Sequence, residues 1–291
     1  MSALTPHVAI VPDSPSITLA DVSPVAAAIQ KQATRDFGPI WQVNATVDSF
    51  AKLEDVPVDY WPVIIRDDIE QPGAAGYHTD DHGQPFSLVQ ADAGWELTVS
   101  HETLEMLADP FGNRTIAGSL PPKAPKEVAD FTRVIYLVEV CDPCEDTQFA
   151  YGVNGINLSD FITPHYYDPS GASGVQYSFR GNIKAPHTVL DGGYVSFGNP
   201  VDNNWYQIIV EGGKQQVRDL GVIKTGTGKS LREQVDAAVR QSLRDRHYRT
   251  KAAAFGAAAS GGRGTLRHQT VFAESSAARA KSLRNYVSAL K

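Results

Sequence analysis

Cysteine is nearly absent from this chain, two residues in 291, and no apolar run approaches the ~20 residues that a membrane-spanning helix needs. The first scarcity excludes a zinc site built of cysteines alone, which takes four thiolates. Cys141 and Cys144, spaced as CDPC, are still able to close a disulfide, bind a metal or exchange thiols, and reduced thiols in a tight turn are the expected state. The second absence excludes a membrane helix. The opening residues MSALTPHVAIVPDSP also lack a basic stretch followed by a long apolar one, so no secretory signal peptide is read and a soluble, cytoplasmic protein is expected. Internal repeats are missing too.

What is present suffices for a sizeable core. Apolar residues make up 42% of the chain, and its length fits one large domain or a domain with an appendage. The net charge of −7 conceals an asymmetry: residues 229–291 hold 13 Lys or Arg against 4 Asp or Glu, a balance of +9, so residues 1–228 carry −16. An acidic body disfavours nucleic acid as a partner of the main domain. The basic end has scattered rather than clustered charges, which reads as a solvated helix, with an acidic partner as the alternative.

Patterning predicts a mixed chain. His7 to Val11 reads as a strand, Ala20 to Gly38 as a helix entered through Asp21, Ser23 and Pro24, and Trp41 to Phe50 as an alternating strand. Trp61 to Arg66 reads as a third strand. Gly76 to His78 and Phe86 to Val89 form a hairpin around Asp80, Asp81, His82 and Gly83. Further on, Gln176 to Phe179, Gly193 to Phe197 and Trp205 to Val210 read as short strands between Gly, Pro and Asn turns. Ser230 to about Lys251 is helical and basic, AAAFGAAASGGRG is a linker by composition, and Val271 to Lys291 reads as a short amphipathic helix.

The stretch SHETLEMLADP, Ser100 to Pro110, carries the chemistry. On a helix, His101 and Glu105 stack one turn apart while Glu102 is turned about 100° away. Thr98, His101, Glu102, Glu105 and Asp109 share one polar strip roughly 100° wide. Leu97, Leu104, Leu107 and Ala108 flank it on one side, Val99 and Met106 on the other, with Thr103 a polar intruder. Carboxylates on a helix buried along both flanks need a partner, and a metal ion is one. An ordinary amphipathic helix with a solvated acidic face is the plainer alternative.

Strand, helix, strands, hairpin and then a helix bearing His-Glu resembles the zincin-type metallopeptidases over about residues 7 to 165. The resemblance implies an α+β fold: a zincin-like twisted mixed sheet with an active-site helix beneath it and substrate along the edge strand, followed here by a β-rich segment and a basic helical tail. It divides the chain into a zincin-like metal-binding domain (1–165), a β-rich extension completing it (166–228) and a basic, partly flexible tail (229–291). Zincins read HExxH, and here Glu105 stands where the second His would be. That change adds negative charge to the ion's surroundings and weakens its Lewis acidity, which admits Mn or Ca beside Zn.

Within that frame His101, Glu105 and Glu139 are the expected ligands. Glu139 follows the apolar run Val134 to Val138 and stands 34 residues after Glu105, where a returning strand could bring it to the helix. His78 and His165 are further candidates. Asp109 sits too far along the helix axis and fits an orienting role, since thermolysin-like zincins place an Asp four positions after a ligand Glu. Glu102 is the expected general base toward water activated on the ion, and Tyr166, Tyr167 and His165 are of the right types to stabilise a tetrahedral intermediate. The expected function is a metal-dependent hydrolase of peptides or proteins. The alternative is a non-catalytic zincin-like scaffold with a structural ion and a partner-binding tail.

Overall fold

The computed structural model describes residues 5–242 apart from 72, 125, 129, 132, 225 and 227. The chain falls into two compact units, Met1–Val235 and Asp236–Lys291; the described residues of the second, 236–242, are helical, and the linker and last helix read from the sequence lie outside the described residues. No described helix is long and apolar enough to cross a membrane.

The first unit is mixed α and β, with two five-stranded sheets. Strand β1 (His7–Asp13) is an interior strand of the first sheet, and Val8, Ala9, Ile10 and Val11 are fully buried, as a parallel strand covered on both faces requires. It pairs in parallel with β2 (Thr46–Ser49) and β3 (Tyr60–Arg66), and β3 in turn with β5 (Gln84–Gln90). Strand β4 (Gly76–Asp81) closes the edge, antiparallel to β5. The β4–β5 turn places His82 and Gly83 at φ 53° and 85°, the two left-handed positions of a two-residue hairpin, and glycine takes its place there without steric cost.

Helix α1 (Leu19–Lys31) opens on a capping box in which Thr18 and Asp21 satisfy each other's ends. It runs into a π-helical segment, Gln32–Phe37, and a short α2 (Gly38–Trp41), so Trp41 ends a helix rather than opening a strand and only Thr46–Ser49 of the predicted Trp41 to Phe50 strand forms. Gln42, at φ 57°, makes the break. The π segment turns Gln32 inward: its amide donates to Ser159 O (3.0 Å), and Ser100 Oγ donates to its carbonyl (2.9 Å). That bond joins the segment to α3 (Trp95–Ala108), the helix predicted to hold the site.

The second sheet runs β12 (Lys214–Val222), β11 (Asn204–Glu211), β10 (Tyr194–Gly198), β7 (Val134–Leu137), β6 (Thr115–Gly118), all antiparallel. It draws strands from both sides of residue 165. β8 (Tyr151–Val153) and β9 (Ile156–Leu158) form a small hairpin. Gln176 to Phe179 is not a full strand: its pairing is one antiparallel bridge, Ser178 to Ile162, flanked by Phe179 N–H donating to Phe161 O (2.8 Å) and Thr163 N–H to Tyr177 O (3.0 Å), with the rings of Phe161 and Phe179 stacked at 5.1 Å. One continuous apolar cluster joins the elements of both sheets.

Candidate metal centre

Helix α3 is buried on both flanks, with Val99, Leu104, Met106, Leu107 and Ala108 at most 4% exposed, and Glu102, Glu105 and Asp109 of its polar strip are buried as well. The 3.6-residue period stacks His101 on Glu105, and His101 Nε2 lies 3.3 Å from Glu105 Oε1. A third group arrives from the chain after β7. Cys144 N–H donates to Cys141 O (3.0 Å), closing a one-turn helix over Asp142–Cys144 that contains Pro143. This turn brings Asp142 Oδ1 to 3.1 Å from His101 Nε2. Cys141 N–H donates to Glu105 Oε1 (3.2 Å), and both thiols are free and buried.

Strand β10 holds the turn from behind. A Cβ on Gly193 would stand 2.6 Å from Asp142 O and 2.9 Å from Pro143 O, backbone atoms that cannot swing aside. Gly193→Ala is therefore expected to destabilise the fold by about 1–3 kcal/mol and to weaken metal uptake, since the displaced atoms belong to the residue that meets His101. Urea unfolding and metal titration of this variant check both effects.

Glu105 also belongs to a second group. The ligating atoms of His78, Glu105 and Glu139 lie within 4.8 Å of one another, as do those of His101, Glu105 and Asp142. Glu105 gives Oε1 to His101 and Oε2 to the other side, 3.7 Å from His78 Nδ1. Into this second group reaches Arg232: its Nη1 donates to Glu105 Oε2 (2.8 Å) and to Glu139 Oε2, and meets His78 Nδ1 at 2.7 Å. His78 Nε2 stands 3.0 Å from Asp109 O. A carbonyl only accepts, so Nε2 carries the ring hydrogen and Nδ1 turns its lone pair to Arg232. Glu102, 3% exposed, lies against β4, where a Cβ on Gly76 would meet its carboxylate at 2.9 Å, and its Oε2 is 3.5 Å from His78 Nδ1.

The charges are unbalanced. Four buried carboxylates, Glu102, Glu105, Glu139 and Asp142, face one guanidinium and two imidazoles. Burial acts to lower the His101 pKa, but the carboxylates of Glu105 and Asp142 outweigh it and raise the imidazole well above its usual range. Burial likewise acts to raise Glu105, and His101 and Arg232 overcome it, holding that carboxyl well below the usual range. Asp142 is pushed up to about 7 by burial and by Glu105. Glu139 is raised well above the usual range by burial, more than Arg232 offsets. Glu145, next to the turn, is pushed up to about 8 by burial and Asp142. Protons or a cation must supply the missing positive charge.

The expected ligand set is thus divided: Glu105 is central, His101 lies on one side and Glu139 on the other. Asp142 stands where sequence spacing expected Glu139. Asp109 orients His78, with its carbonyl, while its carboxylate accepts from Asn113 and Arg114 N–H (3.1 and 2.7 Å). His78 joins the cluster from β4. His165 does not: its side chain is 60% exposed and pairs with Asp168 at 2.8 Å. Tyr166 and Tyr167 are both buried, and both are raised chiefly by burial, with Asp142 adding to Tyr166 and Glu139 to Tyr167. Asp142 lies inside CDPC, between two cysteines that carry chemical readings of their own. Arg232 had no local signal, being one of many arginines in a basic stretch. No protein-family profile, curated protein or solved structure matches this chain.

Proposed function

We propose that this chain is a metal-dependent hydrolase acting on peptide bonds, with a zincin-like arrangement of sheet and helix, in which His101, Glu105 and Asp142 hold the ion and Glu102 is the general base. The observation that carries the reading is the convergence of those three side chains: Asp142 Oδ1 and Glu105 Oε1 lie 3.1 and 3.3 Å from His101 Nε2, and the three ligating atoms fall within 4.8 Å of one another in a buried setting. Two buried carboxylates converging on one imidazole fit a cation. One nitrogen and two carboxylates suit Zn, with Mn or Ca as oxygen-tolerant alternatives.

A divalent cation there would supply Lewis acidity toward water and a scissile carbonyl. The chain's own residues do the rest. Glu102 Oε2, buried and without a hydrogen-bond partner, keeps its lone pairs available to take a proton from water and pass it to the leaving nitrogen. Strand β4 is the sheet edge, and its outer backbone groups suit an extended peptide laid alongside. His101, with a side chain 12% exposed, marks the side open to solvent.

One observation favours a second reading. Arg232 already neutralises part of the cluster, as in a scaffold that needs no turnover. Glu102→Gln separates the two. With zinc restored, its hydrolysis of a fluorogenic peptide mixture is expected to drop by about 10²–10⁴ while metal content and melting stay at the wild-type level. Full turnover in this variant removes the base; no turnover in a stoichiometrically loaded wild type leaves the scaffold.

A further inference from the structure

We propose that His78, Glu105 and Glu139 form a second divalent-cation site, joined to the first through the Glu105 carboxylate, and that Arg232 is the built-in cation that keeps it closed. The inference extends the metal reading above to a pair of cations.

The hydrogen count at Arg232 is the first argument. Nη1 carries two hydrogens, yet His78 Nδ1 (2.7 Å), Glu105 Oε2 (2.8 Å) and Glu139 Oε2 all converge on it. Two hydrogens cannot serve three acceptors well, whereas a metal ion takes lone pairs from every side. The arrangement is that of a coordination sphere with a guanidinium nitrogen at its centre. Glu139 Oε1, on a side chain 5% exposed, has no hydrogen-bond partner and remains as a further oxygen.

His78 supplies the second, independent argument. Its ring is fixed by Nε2–H on the Asp109 carbonyl at 3.0 Å, which presents the Nδ1 lone pair inward. Metal-ligating histidines are held in this way, with the far ring nitrogen donating to a carbonyl or carboxylate. The Nδ1 lone pair shares Arg232 Nη1 with the carboxylate oxygens of Glu105 and Glu139, so all three ligating atoms point at one position. Glu105 adds the third: Oε1 faces His101 and Oε2 faces His78, so a single carboxylate spans both groups. Bridged pairs of this kind hold two ions about 3.5–4 Å apart.

Arg232 reaches the site from the end of the first unit. Its N–H donates to Gly112 O (2.9 Å) and Leu231 N–H to Asn113 Oδ1 (2.9 Å), backbone tethers at the loop that follows α3. Withdrawal of the side chain alone leaves those tethers in place and vacates the sphere. A nitrogen with carboxylate oxygens selects zinc or manganese over magnesium.

Manganese titration of the full-length, metal-free chain tests the proposal, with free ion counted by electron paramagnetic resonance. Wild type is expected to take one equivalent tightly and a second at least tenfold more weakly. Arg232→Ala is expected to take two, the second tightened at least tenfold, and Glu139→Gln in that background to lose the second alone. An Arg232→Ala chain that binds only one equivalent overturns the second site and leaves the first standing; no binding in any chain overturns both. Should Arg232→Ala fail to fold, wild type at high manganese decides: a spin-coupled pair signal is expected, and only isolated-ion spectra would sink the idea.

Discussion

Asp142→Ala is expected to lose the tightly held cation, with affinity falling about 100-fold or more, while Glu139→Ala keeps it. Loss of groups that merely orient a ligand costs about 10–100-fold, so removal of a ligand should cost at least as much. Asp142 Oδ1 lies 3.1 Å from His101 Nε2, whereas Glu139 meets Glu105 on the opposite side, against Arg232. Sequence spacing alone implied the reverse outcome. Elemental analysis of the two purified variants after zinc incubation decides, and metal lost from Glu139→Ala but retained by Asp142→Ala would restore the set His101, Glu105, Glu139.

The metal-free chain is expected to become less stable as pH rises from 4 to 8, and the zinc-loaded chain to become more stable. Asp142 is raised by burial, then by Glu105, from 3.8 to about 7, and Glu145 by burial, then by Asp142, from 4.5 to about 8. A raised carboxyl binds more protons folded than unfolded, so its contribution is complete below the unfolded value and disappears as pH climbs through the folded one. Glu139, raised by burial, has the same sign, and so does His101, whose carboxylate neighbours lift its pKa against burial. Glu105, held low by His101 and Arg232 against burial, acts oppositely, but its contribution is lost only in acid. At 1.36 kcal/mol per pH unit, Asp142 alone makes this a loss on the order of 4 kcal/mol. A cation reverses the slope because its ligands bind as anions. Urea unfolding at pH 5 and pH 8, with chelator and with zinc, reads both slopes; a flat metal-free profile would show that these carboxylates ionise without penalty and would remove the charge argument for a cation.

Legibility followed the range of the forces involved. The β4–β5 hairpin was readable because two left-handed turn positions fall on His82 and Gly83 between apolar alternations. Helix α3 was readable because its period writes the strip and both flanks directly. The predicted strand from Trp41 failed where tertiary demand overrode alternation: Trp41 Nε1 donates to Ile162 O (2.8 Å), which keeps its residue at the end of a helix. Gln176 to Phe179 was read as a strand and pairs only as a single bridge to Ile162.

The amino-acid order by itself determined the pair His101 and Glu105, because four residues on a helix are one turn and no other part of the chain is needed to bring them together. It also settled that Glu102 would stand beside them and that α3 would be buried on two sides. Which groups complete the site was decided only by the tertiary structure. Asp142 comes from a turn clamped by β10, His78 from the sheet edge, and Arg232 from 127 residues beyond Glu105. Those approaches depend on strand order and packing, and long-range packing leaves no period in the sequence.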